Sequence, residues 1–291
     1  MIDRRAINGV ARVAVIPKYV TRIYKGSAKL FSGIIVVSTI VILGAVAPLI
    51  TWYPPLKTMV SQPFSPPNPR NPFGTDDLGR DIYTNTLYGV RTSLLVGALS
   101  TFIASIIGIL IGAIAGYRGG LVGDILMRIT DMAFIVPSFL LALLIATILG
   151  PSIQNIMIAI GIASWPGIAR MTRAEFLRIK EQVFIEVARA IGVSDKRIMF
   201  RHMLPNAIPT VIPYTVLQMS NNILAEAGLG FLGVSDPNVP SLGQLLNIAQ
   251  QYLTTSWWIA AFPGLILSII IIGFNIFGDG LIEYTSPRLR R

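Results

Sequence analysis

Five stretches of this 291-residue chain contain no Asp, Glu, Lys or Arg: Phe31–Leu56, Thr92–Tyr117, Met132–Ala169, His202–Ala225 and Pro237–Gly278. A bilayer crossing needs about 20 apolar residues, so each stretch is long enough to span. Met132–Ala169 is long enough for two crossings, and Gly150-Pro151 punctuates it in the middle. The last stretch begins in a loop rich in Pro, Asn and Ser, which leaves one crossing near Trp257–Gly278. The pattern predicts six helices, at about 31–52, 93–117, 131–149, 153–170, 207–227 and 257–278. The expected fold class is therefore all-α, a polytopic membrane protein with six transmembrane helices. Helices are the default in lipid because each satisfies its own backbone hydrogen bonds. Composition agrees: 53% of residues are hydrophobic and 13% charged, unlike an average soluble domain.

The net charge of +10 raises the question of nucleic acid. Its distribution answers with topology instead. With the N-terminus placed in the cytosol, 20 of the 24 Lys and Arg fall inside, and only Lys57, Arg70, Arg80 and Arg91 fall outside. That asymmetry is the positive-inside bias of a multi-pass protein in the cell membrane, with both termini cytoplasmic. No nucleic-acid partner is expected. Ala45-Val46-Ala47 mimics a signal-peptide cleavage site. The basic leader is too long for that, and Pro48 would hinder cleavage, so the first span is read as an uncleaved anchor. The chain has no cysteine, which removes disulfide and thiolate chemistry.

Residues 51–71 hold six prolines, with Pro72 just beyond, and read as an extended external linker. It divides the chain into 1–72, a basic leader, first helix and linker, and 73–291, a five-helix core. After the linker, Thr75 is a plausible N-cap with Asp76 and Asp77 in the first turn of an interfacial helix. The three carboxylates there fit no calcium loop. Gly108, Gly112 and Gly116 recur every four residues, a spacing that lets helices approach closely in lipid. Arg128 and Asp131 sit three apart, where side chains on a helix meet, as an interfacial ion pair or a gate element. Glu226 lies about 30 Å along the fifth helix, near the outer interface. It reads as a headgroup-level carboxylate in water or as a gate or pore-mouth contact. His202 is the only histidine and lacks the companions a metal site would need.

The polar interval 175–205 is the segment richest in specific signals. Glu186 and Arg189 lie on a helix expected to stop at Gly192, a residue suited to the left-handed terminator position. Ser194 is placed to cap a second short helix through about Phe200, with Asp195 in its first turn. Arg197 stands where a capping box would want Glu, so the box is half formed. Leu204-Pro205 opens the next membrane helix, where Pro suits the first turn. A polar helix–Gly–helix knob kept outside lipid offers a partner something to dock against. No G-x-x-x-x-G-K-[ST] occurs, so the chain does not cradle ATP phosphates itself, and neither H-E-x-x-H nor G-x-S-x-G marks a hydrolytic centre.

EVARAIGVSDKRIMFRHMLP, Glu186 to Pro205, resembles the "EAA" loop of the membrane subunits of ATP-binding-cassette importers. Glu186, Ala188, Gly192 and Leu204-Pro205 fall at the family spacing, while Val187 replaces the middle Ala and His202 stands where many members carry an aliphatic residue. Three further stretches, Gly74-Thr-Asp-Asp-Leu-Gly-Arg-Asp81, Ala225–Gly233 and Phe277-Gly-Asp-Gly280 with Ser286–Arg290, resemble the second permease of the dipeptide/oligopeptide/nickel importers over about residues 30–291. The resemblance implies a type I importer permease fold and a pore shared with a second homologous permease. It also implies two cytosolic ATPase subunits that bind ATP and Mg, and an external solute-binding protein. Glu186, Ala188, Gly192, Ser194, Asp195, Leu204 and Pro205 would then form the ATPase-coupling loop. No cofactor is expected in this chain, which would not itself be an enzyme. The cargo stays open among di- and oligopeptides, oligosaccharides and nickel. An ion-driven secondary transporter predicts mid-membrane ionisable groups, and none lies at mid-depth. A docking scaffold that transports nothing is the other alternative.

Overall fold

The computed structural model describes residues 27–285. Most of the basic leader and the Ser286–Arg290 motif lie outside them. Every regular element among the described residues is helical. Ser27 caps α1 (Ala28–Ile50), its hydroxyl accepting from the Leu30 amide. A looped segment then leads to Asp81, which caps the 37-residue α2 (Ile82–Arg118). Gly119 and Gly120, both at positive φ, turn the chain into α3 (Gly120–Ile135), followed by α4 (Ser138–Leu149) and α5 (Ile153–Lys180). The knob follows: α6 (Val183–Ala190), then α7 (Asp195–Arg197), which runs through the wide-pitched turn Ile198–Met203 into α8 (Leu204–Phe231). The short α9 (Leu242–Ala249) and the long α10 (Trp258–Thr285) close the chain.

Three helices, α1, α2 and α10, are long and apolar enough to cross a membrane, and a fourth crossing arises if α3 and α4 are one span bent by 83°. The expected helix at 131–149 is thus two pieces. Pro137 breaks it, because proline offers no N–H and disfavours helix in the residue before it. The 28 residues of α5 and of α8 span about 42 Å, long enough to cross. They fall short in mean hydropathy because polar residues interrupt them. The expected interfacial helix at Thr75 is absent. Helix α2 begins at Asp81, whose carboxylate accepts from the Thr84 amide and hydroxyl and from the Asn71 side chain.

The glycine ridge of α2 sets the tightest helix pair. A β-carbon on Gly108 would come within 2.7 Å of Ile168, one on Gly116 within 2.6 Å of Phe176, and one on Gly112 would collide with the Ala169 carbonyl. All three contacts fall on α5, so the four-residue spacing is the packing device it resembles. Antiparallel to this pair, α8 meets α2 through Ile223 against Gly97 and through Asn222, whose amide donates to Thr101 Oγ1 at 2.9 Å. Next to α8, α10 packs through Asn275 and Ser220, and α1 lies outermost through Gly33 against Phe277.

At the end away from the knob, residues 56–82 fold back on themselves. Backbone bonds join Met59 to Leu78, Phe64 to Asp76 and Thr75 to Ser65, and the Trp258 indole donates to the Thr75 carbonyl. Asp76 is buried and holds Arg80 at 2.6 Å. Burial pushes its carboxyl above the ordinary value, against the pull of Arg80 and two amide donors. The proline-rich linker is therefore a laced cap over the helix ends, and α9 is tucked beside it, with Gly243 packed on the Ala227 carbonyl.

Candidate functional site

The knob is built on a hard floor. Ile185 and Ala188 of α6 and Ile198 and Met203 beyond it are buried against Ala113 and Tyr117 of α2 and Phe176 and Ile179 of α5. Gly192 sits at φ +78 with open space around it. The Gly192 amide donates to the Arg189 carbonyl and the Val193 amide to the Ala188 carbonyl, both at 3.0 Å. These paired bonds are the Schellman termination, which needs a left-handed residue where Gly192 stands. Ser194 has the extended backbone of a cap, but its hydroxyl makes no capping bond. Asp195 turns back instead, accepting from the Tyr117 hydroxyl at 2.6 Å. Tyr117 also lies under the Arg189 guanidinium, 5.7 Å from its ring centre, and its carbonyl accepts from Lys180.

The outer face of the knob is apolar. Phe184, Val187 and Ile191 are 40%, 52% and 73% exposed, at helical spacing along α6 and its cap. Glu186 is exposed between them and forms no ion pair among the described residues. Leu204 packs on the buried cluster, and Pro205 lies in the first turn of α8.

The other singled-out residues are placed differently from expectation. Arg128 is exposed and does not meet Asp131. Asp131 pairs with Arg170 of α5 at 2.8 Å, and that guanidinium lies 4.0 Å above the Phe134 ring. The packing of α3 beside α5 gives Asp131 this partner. Glu226 is 3% exposed, so it is no headgroup carboxylate in water. It accepts from Ser93 at 2.7 Å with the Ser241 hydroxyl also against it. Helix α9, folded over the end of α8, supplies the cover that the sequence pattern did not reveal.

A cavity of about 360 Å³ opens between the α3–α4 break, α5 and α8. Phe134, Ser138, Ser164, Tyr214, Gln218 and Asn221 are among its walls, and a space of about 30 Å³ continues from it past Asn222. The sequence signal for it was available: Tyr214, Gln218, Asn221 and Asn222 are polar groups inside the charge-free run His202–Ala225.

Residues 108–291 match the model of the binding-protein-dependent transport system inner membrane component family. The dipeptide transport system permease DppC of Alkalihalophilus pseudofirmus is 38% identical over 89% of this chain and 85% of its own length. The oligopeptide transport system permease OppC of Bacillus subtilis is 34% identical over 89% and 85%. The di/tripeptide permease DppC of Pseudomonas aeruginosa is 36% identical over 89% and 88%. Among solved structures, the inward-facing methionine transporter MetNI superposes with a TM-score of 0.56 at 21% identity, over 68% of this chain and 94% of that one. An amino acid ABC transporter with histidines gives 0.54 at 19%, over 71% and 95%. The chain belongs to the binding-protein-dependent transport inner-membrane family and has the fold of a type I ABC importer permease.

Proposed function

We propose that this chain is one of two homologous permease subunits of an ATP-driven importer that carries di- and oligopeptides. Its two ATPase partners bind ATP and Mg, and an external solute-binding protein delivers the cargo. The knob and both termini face the cytosol. Residues 1–72 form the leader, first helix and linker, of which 27–72 anchor and cover the 73–291 core. One observation carries the reading: α6 is rigidly mounted on α2 and α5, yet turns an unpartnered apolar ridge, Phe184, Val187 and Ile191, outward beside Glu186. Such a ridge in water is a docking surface. An ATPase that grips it and closes moves the inner ends of two membrane helices together. The chain itself makes and breaks no covalent bond. The peptide permeases among its relatives support the cargo assignment. The Asp131–Arg170 pair, whose guanidinium lies over Phe134 of the cavity wall, is a gate candidate.

The test is co-expression with the neighbouring genes. The expected result is co-purification of the ATPases and ATP-dependent dipeptide uptake into vesicles. Uptake that follows an ion gradient without ATP would establish the secondary-transporter alternative. Recruitment of ATPases with no cargo movement would leave a scaffold.

A further inference from the structure

The cavity beside the α3–α4 break has no charged wall. Its polar lining is hydroxyls and amides: Ser138, Ser164, Tyr214, Gln218 and Asn221. Part of that chemistry is already spent. Ser164 donates to the Ile160 carbonyl, and Gln218 donates to Asn222, which donates to Thr101. Part is not. The Asn221 side chain is exposed and makes no hydrogen bond among the described residues, and the side-chain carbonyl oxygen of Gln218 likewise accepts none. Gln218 and Asn221 are the fifteenth and eighteenth of the 28 residues of α8, so they lie at membrane depth. A free carboxamide facing hydrocarbon there is costly, and polar side chains in membrane helices turn to a bundle interior or a wet cavity. The break supplies more acceptors. The last carbonyls of α3 have no intrahelical donor, and Ala133, Phe134 and Val136 line the same space. Broken helices at membrane depth are tolerated where they line a cavity, and in transporters they mark binding sites.

We propose that this cavity is a peptide-backbone site, in which the Asn221 and Gln218 carboxamides and the free carbonyls of the break hydrogen-bond the amide groups of an extended peptide. The inference rests on the peptide-importer reading above. Carboxamides both donate and accept, which suits a ligand whose repeating unit is N–H and C=O. A wall without charge makes no demand on the cargo's side chains. His, Met and carboxylates, the groups that would ligate a metal cargo, are absent from the lining.

The chain has no cysteine, so a single one reports its own surroundings. In the assembled importer in vesicles, Asn221→Cys should react with a charged, membrane-impermeant thiol reagent at least about tenfold faster than Leu224→Cys, an apolar position on the same helix. Alanyl-alanine should slow that reaction. In uptake assays Asn221→Leu should reduce alanyl-alanine transport roughly fivefold to tenfold, the size of one lost hydrogen bond, with ATPase activity retained. Asn221→Asp should disfavour glutamyl-alanine more than alanyl-alanine. An unreactive Asn221→Cys, buried against the second permease or turned to lipid, overturns the proposal. So does reaction that dipeptide does not slow, or normal uptake by Asn221→Leu. If labelling is protected by dipeptide while the wild type takes up none with ATP, the site stands and the importer reading falls.

Discussion

The Tyr117 hydroxyl donates to Asp195 Oδ1 at 2.6 Å, joining the last turn of α2 to the first residue of α7 across 78 positions of chain. Beneath it, the Gly108–Gly116 ridge clamps α2 to α5. Any displacement of the knob is therefore delivered to two packed membrane helices rather than absorbed in a loose loop.

Tyr117→Phe keeps the buried ring and removes only this bond. It should cost about 1 kcal/mol locally, with normal insertion and membrane level. Hydrogen exchange in 186–200 should rise, and uptake per ATP hydrolysed should fall. Unchanged exchange in that segment would mean the apolar floor alone holds the knob.

Much of this was legible in the chain. Gly192 announced its own left-handed turn, and the four-residue glycine spacing announced a close helix pair, because both signals are local. The break at Pro137 is not legible in the pattern, since an apolar run looks the same straight or bent by 83°. Helical spacing pairs Asp131 with Arg128, whereas the packing of α3 on α5 gives it Arg170, 39 residues away. Thr75 looked like a cap, but Asp81 takes the role because the Pro-rich segment folds back and occupies Thr75 through Ser65 and Gln62. For Glu226 only the headgroup reading fails, for the same reason: its cover, α9, comes from a distant loop. Long-range closure, not local propensity, decided each of these.

Gly112→Leu should be among the most damaging single changes in the membrane region. Its new side chain would meet the Ala169 carbonyl and Thr172, and overpacking of this kind costs roughly 1–3 kcal/mol. We expect reduced membrane level and a lowered unfolding temperature in detergent. Gly264→Ala, where the nearest atom is Leu246 Cδ2 at 3.6 Å, should be tolerated. Equal behaviour of the two variants would deny the ridge its structural role.

Glu226 should behave as a tether between α8, α2 and α9. Glu226→Gln retains an acceptor for Ser93 and should fold normally. Glu226→Ala leaves the buried Ser93 hydroxyl without its partner and a void beside it, a loss of about 1–3 kcal/mol. The measurement is thermal unfolding of the purified complex, with proteolysis of the 232–241 loop as the local report. A stable Glu226→Ala protein that fails in transport would instead return Glu226 to a gating role.

Glu186 has no ionic partner among the described residues, although five carboxylates elsewhere in them do. A solvated surface carboxylate can be lost at little cost to folding, so its value must be sought outside the chain. It stands beside the exposed ridge of Phe184, Val187 and Ile191, where a docked partner would strip its water and make its charge matter. Glu186→Lys should therefore leave insertion and thermal stability unchanged, yet release the ATPases on purification or uncouple uptake from hydrolysis. Val187→Asp, which spoils the ridge without touching Glu186, should weaken recruitment by another route. If both variants keep their ATPases and transport at the wild-type rate, the outer face of α6 is not the coupling surface.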